Sequence, residues 1–248
     1  MDTAVSYQLR DSIATITMDD GKVNVLSPAM LGELDAALDR ALADQAVVVL
    51  AGRPGIFSAG FDLSVLNAGG PGSAEMVVAG FVLAERLLSF PMPVVIACTG
   101  HAVAMGVFLL LSGDYRVGAA GPYKFTANEV AIGLTIPRAA VEILRQRLTP
   151  AHFNRATTLA EPFSPDDAVQ AGFLDRVVSA ADLHDVARGT AEAVTALDMN
   201  AHLSAKLRAR QHVLSALRAA IDADNAEFRA RIASGPELAP AAQGAPSQ

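Results

Sequence analysis

The chain has 248 residues, a length that suits one domain able to bury roughly 70–75% of its unfolded surface. Its net charge of −7 comes without a dense Lys/Arg run, which argues against nucleic-acid binding. The single cysteine, Cys98, excludes an internal disulfide framework and favours a cytoplasmic location, and the five histidines show no metal-ligand spacing. The longest strongly apolar run, Ala102 to Leu111, is half of what a membrane span needs.

The first half of the chain alternates strand and helix patterns. Ser12 to Met18 alternates in polarity and predicts a strand, and Ser27 with the proline after it predicts the start of a helix. The apolar runs Ala46–Leu50 and Pro93–Ala97 are typical of strands buried on both faces. The glycines at Gly69–Gly72 predict a flexible loop between these strands.

The second half is mainly helical, and Ser164 with the proline after it predicts a further helix start. His101–Leu111 is apolar on all sides and predicts a helix in the middle of the core. Two long helices are expected at about Ala180–Leu197 and Ala201–Ala223. The fold class is therefore α/β, and we divide the chain into a core (1–195), a C-terminal helical region (196–233) and a disordered tail (234–248) rich in Ala, Pro and Gly.

Two segments with small residues follow buried strands directly, where open α/β sheets bind ligands. The first is Gly55–Leu63 and the second is Gly100–Leu109. Small residues there let a ligand oxygen approach the main chain closely. Each segment by itself is equally compatible with an ordinary tight turn beneath a packed helix.

Taken together, three segments resemble the motifs of the crotonase (enoyl-CoA hydratase/isomerase) family. Phe57–Leu63 resembles the family's first oxyanion-hole motif, Gly100–Gly106 the second, and Asn128–Gly133 a later segment that carries a glutamate. The resemblance covers Val5 to Ala220. It implies a spiral of ββα units and a homotrimer or dimer of trimers whose subunit contacts are formed by the C-terminal helices.

The resemblance also implies roles for individual residues. The two amides that bind the thioester oxygen fall on Ala59 and Met105, and the acid/base falls on Glu129. An acyl-CoA thioester is the implied substrate, with no further cofactor and no metal. Expected contacts with that substrate are at Lys22, Val23, Gly60, Phe61, Asp62, Leu63, Gly106, Phe108 and Ile132, and Arg53 is a further candidate contact.

One position departs from the family's pattern. Hydratases of the family use two glutamates, and the second of these falls on Phe108, which cannot transfer a proton. The sequence therefore favours one-base proton transfer, as in a Δ3,Δ2-enoyl-CoA isomerase. A weak hydratase and a non-catalytic acyl-CoA-binding protein stay open as alternatives. Asp62 and Asp114 are expected to order their own loops rather than to perform chemistry.

Overall fold

A computed structural model describes residues 3–234 of the chain. The strands are β1 (Val5–Arg10), β2 (Ile13–Met18), β3 (Val25–Leu26), β4 (Val47–Ala51), β5 (Gly55–Ser58), β6 (Gly60–Phe61), β7 (Val94–Cys98), β8 (Gly100–Val103), β9 (Tyr115–Ala119), β10 (Phe125–Thr126) and β11 (Arg176–Val178). The helices are α1 (Pro28–Ala43), α2 (Leu63–Ala68), α3 (Gly70–Ser89), α4 (Met105–Leu111), α5 (Arg138–Arg145), α6 (Pro150–Leu159), α7 (Pro165–Ala171), α8 (Leu183–Val194) and α9 (Met199–Ser234), with a short 3-10 turn at Val130–Ile132.

The largest sheet has six strands in the order β1-β2-β4-β7-β9-β11. Its pairs are parallel except for the antiparallel pair β1–β2. Every residue of β4 and β7 is buried, as their continuous apolar sequences predict for strands covered on both faces. This mixed α/β architecture confirms the predicted fold class.

A second, smaller sheet has the order β10-β8-β5, and β3 pairs with β6 beside it. The prediction of a helix from His101 is wrong for the first part of that segment. Gly100–Val103 is a strand between β5 and β10, and the helix begins only at Met105. An apolar run of this kind fits a buried strand as well as a buried helix, so its period does not distinguish them.

The helix starts marked by Ser-Pro pairs are confirmed. The Ser27 hydroxyl accepts a hydrogen bond from the Met30 N–H, and the Ser164 hydroxyl accepts one from the Asp167 N–H. The predicted loop at Gly69–Gly72 is wrong beyond its first residue, because α3 already begins at Gly70. A proline in the first turn needs no N–H there and is compatible with that start.

The last helix, α9, continues to Ser234, well past the predicted end at Ala223. The buried Lys206 fastens it to the core by donating to the Phe90 carbonyl (2.8 Å) and to the Asp114 carboxylate (2.7 Å). Asp114 also accepts from the Val94 N–H at 2.7 Å, so its carboxylate joins the end of α4 to the start of β7 and to α9, rather than ordering its own loop as predicted. The predicted disordered tail lies, apart from Ser234, outside the described residues, and among those residues no helix is long and apolar enough to cross a membrane.

Candidate active site

The two predicted hole segments meet directly in the structure. Gly60 has a φ of +92°, which is favourable only for glycine. A Cβ placed on it would lie 3.3 Å from the Met105 nitrogen and 2.9 Å from the Ala104 Cβ. The main chain of β6 therefore lies against the start of α4, without room for a side chain between them.

The Met105 amide has the geometry expected of a donor to a ligand. Met105 is the first residue of α4, so its N–H has no acceptor within the helix, and Ala104 before it offers no side-chain cap. Ala104 has φ +48° and ψ −124°, a conformation that costs a residue with a Cβ about 1–3 kcal/mol. This strained turn connects β8 to α4 and sets the direction of the Met105 N–H.

The Ala59 amide does not fit the role predicted for it. Its N–H donates to the Val23 carbonyl at 3.0 Å and is thus already used within the fold. The next N–H, that of Gly60, donates to the Ser58 hydroxyl at 3.1 Å. The assignment of Ala59 as a hole donor is therefore corrected: in this fold its amide attaches the segment to the Val23 loop.

Glu129 lies in the turn that follows β10. The N–H of Ala104 donates to the carbonyl of Thr126 at 2.9 Å, which joins the end of β10 to the residue before Met105. Glu129 is three positions after Thr126, so the Cα atoms of these two residues are at most about 11 Å apart. The glutamate and the Met105 amide thus belong to one region of the fold.

The Glu129 side chain has the environment of a general acid or base. The residue is only 8% exposed, and its Oε2 atom has no hydrogen-bond partner among the described residues. Burial in these surroundings raises the pKa of Glu129 to about 7. A buried carboxyl with one unpartnered oxygen and a pKa near neutral pH can both take up and return a proton.

Aromatic side chains pack beside the hole segments. The Phe108 ring stacks on the Phe81 ring with centroids 5.9 Å apart, and Phe61 meets Phe81 edge-on at 6.3 Å. A Cβ on Gly80 would lie 2.5 Å from the Phe61 ring and 3.5 Å from the Met105 Cε atom, so these side chains form one apolar cluster. Such a cluster excludes water from its surroundings and strengthens electrostatic interactions there.

The predicted contacts with the substrate fall into two groups. Gly60, Gly106 and Phe108 are buried, and Phe61 is partly buried, beside the two hole segments. Lys22, Val23, Leu63 and Ile132 are exposed. Within residues 3–234 no cluster of His, Cys, Asp and Glu is arranged to hold a metal ion.

Asp62 and Arg53 are engaged within the protein. Asp62 is the N-cap of α2, and hydrogen bonds from the Ser64 hydroxyl and N–H hold its pKa below the usual range, in agreement with the predicted loop-ordering role. Arg53 donates to the Lys22 carbonyl and pairs with Asp19 at 3.2 Å.

Two buried polar residues, Asn24 and Ser58, were missed by sequence reasoning. Both have no exposed surface, and the Ser58 hydroxyl donates to the Asn24 carbonyl at 2.8 Å. The only sequence signal for them is a polar residue inside a predicted motif. That signal does not distinguish a buried hydroxyl from a solvated one.

The chain is similar to known proteins over most of its length. The protein-family model described as "Enoyl-CoA hydratase/isomerase" matches residues 8–235. The chain belongs to the enoyl-CoA hydratase/isomerase family. Members of this family similar to the chain are isomerases and hydratases, so it is an enzyme of that type.

Two relatives, one of them with two solved structures, illustrate the activity names given to similar proteins. Human mitochondrial enoyl-CoA delta isomerase 1 is 29% identical over 221 residues, which are 87% of this chain and 73% of the relative. A solved structure named as an enoyl-CoA isomerase of Mycobacterium tuberculosis is 49% identical, with a TM-score of 0.89 over 92% of this chain and all of its own. A second solved structure of the same Mycobacterium tuberculosis protein is named as a probable enoyl-CoA hydratase; it is also 49% identical, with a TM-score of 0.89 over 91% of this chain and 96% of its own. One relative thus carries both activity names.

Proposed function

We propose that this enzyme shifts the double bond of 3-enoyl-CoA thioesters to the 2-position, with Glu129 as the single acid/base. The observation that carries the proposal is the Glu129 carboxyl itself, which is buried, has a free oxygen and has a pKa raised to about 7. Phe108 stands where a second glutamate would be needed to activate water, and it is part of an apolar cluster. One carboxyl and a dry site suit proton transfer between carbons.

In the proposed reaction, ionised Glu129 takes a proton from C2 of the substrate. The electron pair moves into the thioester, which becomes a dienolate with its negative charge on the carbonyl oxygen. Protonated Glu129 then returns the proton to C4, and the double bond lies between C2 and C3. The overall reaction moves one proton and one double bond, and it consumes no water and involves no metal or redox partner. A carboxyl with a pKa near 7 is suited to both steps because it is populated in both forms at neutral pH.

The dienolate oxygen needs donors, and we propose the amides of Met105 and Phe61. The Met105 N–H lacks an intrahelical acceptor. Because the Ala59 and Gly60 amides already donate to Val23 and Ser58, we assign the second donor to Phe61, the next residue of that segment. Each such donor typically contributes about 3–4 kcal/mol to stabilisation of the transition state.

We also propose further contacts with the substrate and an assembly of several subunits. The exposed Lys22, Val23, Leu63 and Ile132 would contact the CoA or acyl portion. A homotrimer or dimer of trimers, with the C-terminal helices at the subunit contacts, would cover apolar surface left exposed on the single chain, including Leu159 and Leu207.

The direct test compares 3-enoyl-CoA and 2-enoyl-CoA as substrates of the wild-type protein. We expect conversion of 3-hexenoyl-CoA to the conjugated 2-enoyl product, with deuterium from the solvent entering the substrate during turnover. Water addition to crotonyl-CoA should be much slower. Binding of acyl-CoA without any exchange of the C2 proton would contradict the proposal and favour the non-catalytic binder.

The hydratase alternative is tested by restoring the missing carboxylate. Phe108→Glu should increase water addition to crotonyl-CoA, because a second carboxylate in the site, together with Glu129, can position and activate water. Loss of the Phe108 ring from its stacked position on Phe81 should destabilise the fold by about 3–5 kcal/mol. Phe108→Gln is the matched control: it has a polar side chain of similar size and cannot act as a base. Equal hydration rates in the two folded variants would show that Phe108 does not decide the reaction.

A further inference from the structure

The Ser58 side chain lies at the junction of the two hole segments. It is completely buried, and its hydroxyl makes two hydrogen bonds at once. It accepts from the Gly60 N–H at 3.1 Å and donates to the Asn24 carbonyl at 2.8 Å. The hydroxyl thus holds the residue that precedes Phe61 to the loop before β3.

The loop to which Ser58 is bonded is itself fixed. The Asn24 side-chain amide donates to the carbonyls of Met18 and Phe57 at 3.0 and 3.1 Å, and its oxygen accepts from the Asp20 N–H at 3.0 Å. Asn24 therefore uses both ends of its side chain to connect three parts of the main chain.

The other side of Ser58 contacts the second hole segment. A Cβ on Gly106 would lie 2.5 Å from the Ser58 carbonyl oxygen and 2.9 Å from the Ser58 Cβ, so the first turn of α4 packs directly on this residue. Ser58 also pairs with Ala102 of β8, just past a register shift after Ile56. Such bulges change the direction of the residues that follow them.

We infer that Ser58 is a positioning residue of the oxyanion hole, which through its hydroxyl fixes the Gly60–Phe61 main chain relative to the Met105 amide. This inference rests on the proposed function. Without the hydroxyl, the Gly60 N–H and the Asn24 carbonyl lose their partners in a buried place, and the peptide that precedes the Phe61 amide can rotate. Misalignment of one donor weakens the stabilisation of an enolate more than the binding of an unreacted thioester, since charge develops only in the former.

The test uses ligands that separate these two kinds of binding. Acetoacetyl-CoA ionises to an enolate that absorbs in the near ultraviolet, and a working hole increases the enolate fraction of the bound ligand at a given pH. Butyryl-CoA has the same thioester without an ionised form. For Ser58→Ala we expect a fall of about 10- to 100-fold in kcat and in the enolate-to-ketone ratio of bound acetoacetyl-CoA. The affinity for butyryl-CoA should stay within about threefold of the wild type.

Ser112→Ala is the matched control, because Ser112 is also fully buried and its hydroxyl donates to the Phe108 carbonyl at 2.8 Å, at the other end of α4. It should change thermal stability without changing the enolate spectrum. An unaltered enolate ratio in Ser58→Ala overturns the inference, as does an equal loss of butyryl-CoA and acetoacetyl-CoA binding. If wild-type protein gives no enolate at all, the proposed function itself is wrong, which is a different result.

A second variant, Ser58→Cys, serves if Ser58→Ala does not fold. It keeps a side chain of the same shape but replaces the hydroxyl by a thiol, which is a weaker hydrogen-bonding group. A wild-type enolate ratio in Ser58→Cys would equally overturn the inference.

Discussion

Glu129→Gln is expected to lower kcat for 3-enoyl-CoA isomerisation by about 10²- to 10⁴-fold while leaving acyl-CoA affinity nearly unchanged. The amide has almost the same shape as the carboxyl but cannot accept the C2 proton. The turn around Glu129 should persist, because the main-chain carbonyl oxygen of Glu129 is not altered. That oxygen accepts hydrogen bonds from the Ile132 and Leu134 N–H groups. Steady-state kinetics and calorimetric binding of butyryl-CoA measure the two quantities separately.

The same substitution should also change how stability depends on pH. The pKa of Glu129 is about 7 in the folded chain and near its usual 4.5 when unfolded. Below pH 4.5 the carboxyl is protonated in both states and has no effect; between pH 4.5 and 7 the unfolded chain releases the proton first, so stability falls as pH rises. Above pH 7 the loss reaches about 3 kcal/mol, and Glu129→Gln should recover it.

Glu192→Gln provides the control for both measurements. Glu192 lies on α8, where its exposed side chain pairs with Arg188 at 2.9 Å, and α8 packs on the large sheet through β4 and β7. This variant should keep its kcat and should show no stability gain that grows with pH. Isomerase activity above a tenth of the wild-type value in Glu129→Gln would mean that another group is the base.

Gly60→Ala is expected to reduce kcat by about 10²-fold or more, the loss typical of removing one oxyanion donor. The new Cβ would lie 2.9 Å from the Ala104 Cβ and 3.0 Å from the Val103 carbonyl, so β6 and the start of α4 must separate. Backbone strain at φ +92° should add about 1–3 kcal/mol of destabilisation. Enzyme kinetics together with thermal unfolding will show both effects.

Gly55→Ala is the control for Gly60→Ala, because it introduces the same backbone strain without displacing the main chain of the hole. Gly55 has nearly the same φ, +88°, but nothing lies within 4 Å of a Cβ placed on it. It should lose similar stability while keeping most of its kcat. If both variants lost activity equally, the contact between β6 and α4 would not be what positions the donors.

The location of the candidate site could be read from the sequence, and its donors only in part. Small residues after buried strands marked Gly60 and Gly106, which the structure brings together beside Met105. Glu129 stood in a recognisable motif, but its burial and its raised pKa arise only in the folded chain. The Ala59 amide was assigned by position in a motif, whereas its actual acceptor, the Val23 carbonyl, lies 36 residues earlier in the chain.

Local signals explain which elements were predicted correctly. Ser27 and Ser164 cap their helices through hydrogen bonds to residues three positions ahead. The all-apolar sequence of the strand Val47–Ala51 indicates burial on both faces. These features depend on neighbours in the chain or on composition, which a single sequence contains. The family, the α/β class and the absence of a glutamate at Phe108 were determined at this level.

Only the tertiary structure decided which backbone groups are free. Gly100–Val103 is a strand because β5 and β10 lie on either side of it. The pattern of residues in an apolar run does not indicate such neighbours. The same holds for the amides of the hole, since an N–H is available to a ligand only when no distant carbonyl or hydroxyl has taken it. Hydrogen-bond partners from remote parts of the chain therefore settle a question that residue types leave open.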